Sequence, residues 1–267
     1  MKKEGKEKEN TKITPKDNEN TRKSPDINEI AYGYYDTPFR VIKDEIALSL
    51  ENDNDSEMFL YKRELLGEKV EKVLLAYNGS ILLNPVEPLN MPREITSYLL
   101  LEFGKVLMVE PLAKKKVFIK FPIEIGVFVT GKEIFDVLDV FSVVKSKFSL
   151  YGNPSSGVVC KYHKSEVYPL LPSVDTLREG VMELTITNTT NKWVEVTKAV
   201  FNAYGMKIYY NDRLVSMKSN MKVLSTKVAE TDFVDSPLEK GMIKSLELYT
   251  ARKLSITTPK FIMEGEI

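Results

Sequence analysis

The stretch Lys114–Thr130, KKKVFIKFPIEIGVFVT, decides how this chain is read. Val117, Ile119 and Phe121 alternate with Phe118 and Lys120, the two-residue period of a strand with one buried face. The lysine triplet Lys114–Lys116 stands at the turn before it. Pro122 then interrupts, and Ile123, Ile125, Val127 and Val129 resume on one phase. Proline has no N–H for a ladder, so between two such runs it marks a bulge or bend, not a central ladder position.

The same pattern extends outward in both directions. The globular part begins at Ile30–Tyr35, and Val70–Tyr77 and Ser80–Val86 flank Asn78-Gly79. That dipeptide predicts a tight hairpin, because a type I′ turn needs positive φ at both central residues. Ile95–Phe103 and Val106–Glu110 read as further strands, and Ser149–Val167 as a hairpin across the loop Gly152–Gly157. Glu57–Lys72 and Ile134–Val144 carry helical as well as strand spacing, so their type stays open. Tyr168–Gly180 has two prolines and no period, which predicts a boundary. Beyond it lie Val181–Asn188, Trp193–Phe201, Lys207–Tyr210, Met221–Val228, Met242–Thr250 and Leu254–Met263, with turn signals at Asn188–Asn191 and Asn211-Asp212. Regular short strands with few helices to cover a parallel sheet predict antiparallel layers. The expected fold is all-β, with two antiparallel sandwich-like domains at residues 29–168 and 169–267, the second immunoglobulin-like.

Residues 1–28 are almost wholly Lys, Glu, Asn, Thr, Asp, Ser and Pro, too little apolar surface to offset the entropy of ordering. They predict a disordered tail, read as a solvated extension, with a docking tail as the alternative. Their interspersed charges argue against a basic nucleic-acid arm. No apolar run follows the basic start, so no secretory signal is expected. The longest apolar stretch, Phe121–Val144, carries Glu124, Lys132, Glu133, Asp136 and Asp139, so no membrane span is expected. Lys plus Arg and Asp plus Glu balance at 38 each, leaving no global field toward nucleic acid or an anionic membrane. A cytoplasmic protein is expected.

Residues that usually carry chemistry are scarce: one histidine, one cysteine and one tryptophan in 267 residues. A single cysteine excludes an intrachain disulfide and a four-cysteine zinc site. Cys160-Lys161-Tyr162-His163 has the form of a zinc half-site, but on a regular strand positions 160 and 163 point to opposite faces. No nucleophile elbow, phosphate loop or dinucleotide fingerprint occurs. No metal and no cofactor are expected. Glu124 stands inside an apolar run, where a carboxylate is solvent-facing, ion-paired, or buried with a raised pKa. In the last case it becomes an acid–base group, with Asp136 or Asp139 as partner. Val86-Glu87-Pro88-Leu89 recurs as Val109-Glu110-Pro111-Leu112, which reads as two strands ending at proline or, if those ends are neighbours, as a carboxylate pair. Lysines interleave with aromatics at Lys114–Phe121, Lys145–Phe148 and Lys161–Lys164, a pattern of edge protection that also serves phosphate and base contact.

The expected function is a non-enzymatic binding or assembly module with a protein partner. Nucleic-acid or anionic-ligand binding through the lysine–aromatic patches is the alternative, and an acid–base enzyme around Glu124 the third reading. The binding residues expected are Glu87, Glu124, Tyr151, Lys161, Tyr162 and His163, centred on the Gly152–Gly157 loop. Oligomeric state is not legible.

The runs Asn84–Pro92 (NPVEPLNMP), Lys120–Val129 (KFPIEIGVFV), Asp139–Ser142 (DVFS), Leu150–Gly152 (LYG) and Phe261–Glu264 (FIME) span most of Ala31–Glu264. On these the chain resembles an uncharacterised family of archaeal proteins, seen mainly in methanogens, known as a domain of unknown function. The resemblance implies an archaeal cytoplasmic protein and transfers no catalytic residue.

Overall fold

A computed structural model describes residues 30–52, 58–75, 79–89, 95–131 and 135–248, and the backbone of Arg22–Lys23, Asp26–Ile27 and Lys260–Ile262. The short β1 (Arg22–Lys23) and β2 (Asp26–Ile27) precede β3 (Gly33–Tyr35), β4 (Phe39–Lys43) and β5 (Ile46–Asn52). Next come β6 (Met58–Leu65), β7 (Glu68–Leu75), β8 (Ser80–Val86) and the long β9 (Tyr98–Val109). The central run supplies β10 (Lys114–Pro122), β11 (Glu124–Thr130), β12 (Phe135–Phe141), β13 (Lys147–Tyr151) and β14 (Val158–Ser165). The last part supplies β15 (Glu179–Asn188), β16 (Val194–Asn202), β17 (Tyr209–Tyr210), β18 (Val215–Ser225), β19 (Val228–Val234), β20 (Ile243–Lys244) and β21 (Lys260–Ile262). Among the described residues there is no α-helix, and no helix long and apolar enough to cross a membrane. The all-β expectation holds.

Four sheets form, in the orders β1-β3-β8-β11-β12, β2-β4-β5-β6-β7, β13-β14-β9-β16 and β10-β15-β18-β17-β20, the last joined also by β19 and β21. Most pairings are antiparallel, but each sheet holds one parallel pair: β1 with β3, β2 with β4, β14 with β9, and β15 with β18. Pro122 is where the chain leaves one sheet for another. Up to it, β10 pairs with β15 from Lys114↔Thr187 to Pro122↔Glu179. Two residues later, β11 lies between β8 and β12. The missing N–H costs nothing at a corner where the ladder ends anyway. Phe121, fully buried, lies over Gly180 on the paired strand, where a Cβ would stand 2.5 Å from its ring.

One continuous apolar cluster draws on every sheet, including Leu48, Leu83, Leu101, Ile125, Phe121, Met182, Met217 and Phe201. That cluster and two of the sheets cross the boundary expected at Tyr168. β10 pairs with β15, β16 pairs with β9, and Phe118 bridges Tyr168 itself. Tyr168–Gly180 is thus a connection within one hydrogen-bonded framework.

Other expectations are corrected or resolved. Val70–Tyr77 and Ser80–Val86 do not form a hairpin: β7 pairs with β6, while β8 pairs with β3 and β11 in a different sheet. Asn78 of the expected turn lies outside the described residues. From Met58 on, the open segment Glu57–Lys72 lies in a hairpin, with Leu66 and Gly67 at positive φ in its turn. Ile134–Val144 contains the strand β12. Ile95–Phe103 and Val106–Glu110 merge into β9, and Met221–Val228 straddles the turn between β18 and β19. The Asn188–Asn191 turn moves the chain between sheets. Buried Asn188 donates to Val109, Glu110 and Lys192 carbonyls and accepts from Thr190. The expected disordered tail lies outside the described residues except for β1 and β2, whose backbones pair with β3 and β4.

Candidate functional site

Three of the six expected binding residues, Lys161, Tyr162 and His163, sit on β14, between β13 and β9. Strand alternation divides these three residues. Lys161 and His163 face the other sheets. Lys161 Nζ donates to Glu124 Oε1 at 2.6 Å, with the two side chains 5% and 0% exposed. Of the three readings open for Glu124, the buried ion pair is the one realised. His163 Nε2 lies 3.5 Å from Glu179 Oε1, an electrostatic contact rather than a strong hydrogen bond. Burial lowers the His163 pKa. Glu179 pulls it back up, and Lys120 and Lys147 reinforce the lowering.

Cys160 and Tyr162 face the opposite way. Cys160 is fully buried with Leu100, Tyr151 and Val200, and Tyr98, Val158 and Tyr162 pack beside them. Burial pushes the Cys160 thiol up to about 12, so it is no nucleophile. Cys160 and His163 lie on opposite faces, as alternation required. Tyr162 Oη donates to Glu102 at 3.1 Å, and the Lys198 ammonium stands 5.3 Å above the Tyr151 ring. A shallow cleft on this side is lined by Glu102, Lys147, Phe148, Ser149 and Tyr162. Tyr151 and Tyr162 therefore share one face, while Lys161, His163 and Glu124 belong to the buried layer behind it.

The Gly152–Gly157 loop satisfies itself. The Asn153 carbonyl accepts from Ser156 and Gly157 N–H, and its Oδ1 accepts from the Ser155 N–H and hydroxyl. Gly152 has φ +94°, and a Cβ on Gly157 would meet the Tyr151 and Asn153 carbonyl oxygens at 2.6 and 2.7 Å. The loop is a preformed turn, and the open feature is the strand leading into it.

Comparing the longer edges singles out β13. β7 carries Glu68, Lys69, Glu71 and Lys72. β12 has Asp136 and Asp139, and its Leu138 carbonyl accepts from Lys72. β10 carries four lysines and is capped by Tyr168 backbone and the Ser165 hydroxyl. β16 has Glu195 and Lys198, and its Val200 carbonyl accepts from Thr231. Such charges and caps are how sheets avoid unwanted strand addition. β13 has one charge, at its first residue, then Phe-Ser-Leu-Tyr. Among the described residues, no strand pairs with its outer flank. Phe148, Leu150 and the adjacent Val159 stay 37%, 45% and 46% exposed. No sequence rule weighs one edge against another, so the strand was read only as part of a hairpin.

Glu87 lies elsewhere. It follows β8, and Glu110 follows β9 in another sheet, exposed and 3.1 Å from Lys115, so the repeated Val-Glu-Pro-Leu does not unite its carboxylates. Glu87 is buried, and Leu248 N–H donates to its Oε2 at 3.4 Å. Asn84 on β8 donates to Ser245 Oγ and accepts from Leu246 N–H, so both residues hold the segment after β20. Burial raises the Glu87 pKa to about 7, backbone N–H groups lower it, Glu247 raises it and Lys207 lowers it. A carboxyl raised from 4.5 to about 7 holds its proton more tightly when folded, so stability falls as pH rises through that window. Glu87→Gln is expected to remove about 2 kcal/mol of stability loss between pH 5 and pH 7. Denaturant melts of parent and variant at both pH values check this; parallel pH profiles contradict it.

The acid–base grouping expected around Glu124 does not assemble. Asp139 Oδ2 instead accepts from Arg63 Nε at 2.6 Å and Tyr61 Oη at 3.0 Å. No curated protein and no solved structure matches the chain. The family model described as "Protein of unknown function (DUF432)" matches residues 31–264 and contains all five runs quoted for the resemblance, as well as β13, Glu124 and Glu87. With all but its two ends covered by that match, the chain belongs to this family.

Proposed function

We propose that the protein is a non-enzymatic binding module that docks a protein partner along the edge of β13 by strand addition. The observation that carries this reading is the contrast between β13 and the other long edges, each of which bears several charges or backbone caps. An added strand would make main-chain hydrogen bonds along the outer flank of β13, which no described strand pairs, and cover Phe148 and Leu150. The partly buried aromatic residues beside it, Tyr98 and Tyr162, supply the side chains that interfaces favour. The nucleic-acid alternative has less support. Lys115, Lys116 and Lys161 are paired with Glu110, Glu183 and Glu124, and Tyr151 is covered rather than open for stacking. The archaeal cytoplasmic setting belongs to the same reading and rests on the resemblance.

The test is capture from native extract by immobilised parent and Leu150→Lys chains. Leu150 is half exposed, so the variant keeps its thermal midpoint. The parent is expected to hold a protein through a high-salt wash, and the variant to lose it. Capture unaffected by the variant, or of nucleic acid that salt releases, contradicts the reading.

A further inference from the structure

We propose that the strand docked on β13 is β13 of a second copy, paired antiparallel about a two-fold axis at Ser149. This rests on the edge-docking reading and names its occupant. The five residues Lys147-Phe148-Ser149-Leu150-Tyr151 complement themselves in that register. Lys147 meets the second copy's Tyr151, Phe148 meets its Leu150, and Ser149 meets its own counterpart. Opposed residues in antiparallel strands share a face, and each of these pairs joins residues of one face.

The chemistry of each pair fits. Lys147 stands at the end of the strand, where its long side chain passes over the second copy's buried Tyr151 and keeps its ammonium in solvent. On the other side Val159, Leu150 and the second copy's Phe148 form an apolar row, repeated by the two-fold, which covers side chains left 37–46% exposed in a single copy. The two Lys147 side chains lie at opposite ends of the strand pair, because Lys147 is the strand's one charge and its first residue. Ser149 brings no bulk to the axis. Centring on Phe148 or Leu150 instead would leave an end of the five-residue strand unpaired. An isologous contact of this kind closes after two copies and leaves no further edge on β13. Two four-stranded sheets become one continuous sheet.

The experiment uses the purified full-length chain. Ser149→Cys, mildly oxidised and run without reductant, is expected to migrate at twice the 30.5 kDa chain mass, because the axis residue alone faces itself. Native Cys160 is fully buried and stays silent. Ser155→Cys, on the turn beyond the strand, is expected to remain at chain mass. In sedimentation equilibrium Leu150→Lys is expected to weaken association at least ~30-fold. A chain monomeric at every concentration, equal cross-linking of both cysteine variants, or a dimer indifferent to Leu150→Lys overturns the inference. If the pure chain is monomeric while extract capture still depends on Leu150, self-pairing fails and the edge-docking reading stands. If neither depends on Leu150, both fall.

Discussion

Lys161→Ala is expected to destabilise the protein by ~3–5 kcal/mol, because it removes the cation 2.6 Å from a carboxylate that has no solvent exposure. The ammonium and carboxylate lie 2.6 Å apart and tie β14 to the start of β11, two residues past the Pro122 corner. A buried pair of this kind is costly to form and far costlier to halve. Replacing both partners by apolar residues, Glu124→Leu with Lys161→Met, is therefore expected to destabilise less than Lys161→Ala alone. Chemical denaturation of the three proteins decides the matter. A single variant as stable as the parent contradicts the role given to the pair.

Phe121→Ala is expected to cost about 3–5 kcal/mol by leaving a cavity the size of a ring. Phe121 is fully buried, belongs to the main apolar cluster, and fills the space that Gly180 leaves on the facing strand. The backbone on both sides is fixed by the β10–β15 ladder and the sheet change at Pro122, so the walls cannot close in. Phe121→Leu retains most of the volume and should cost less than half as much. Equal stability of the alanine variant and the parent would show that the corner repacks freely, against this description.

How much of this was legible follows from what each signal encodes. The alternation in Lys114–Thr130 encodes burial on one face, so both strands and the bend at Pro122 could be read directly. It does not encode partners. That β10 and β11 enter different sheets depends on residues more than fifty positions away, such as Gly180 opposite Phe121. Asn78-Gly79 shows the same limit: a turn signal says that the chain reverses, not that the flanking strands pair, and β7 was already taken by β6. The parallel pairs β9–β14 and β15–β18 left no local mark, since their connections run through other strands. At the site, alternation alone separated Cys160 from His163, and the same count separates Tyr162 from Lys161. The ammonium that meets Glu124 is brought there by tertiary structure, which is why three readings of that carboxylate stayed open.

In the reading proposed above, β13 is an edge that receives another strand. Residue-resolved amide hydrogen exchange tests it most directly, comparing the dilute protein with its associated state, whether formed with a second copy or with an extract partner. The account predicts that the outward-pointing amides within Lys147–Tyr151 slow on association, while those of the charge-guarded β7 keep their rates. Unchanged exchange along β13, with protection gained at β7 or at another edge, would contradict it.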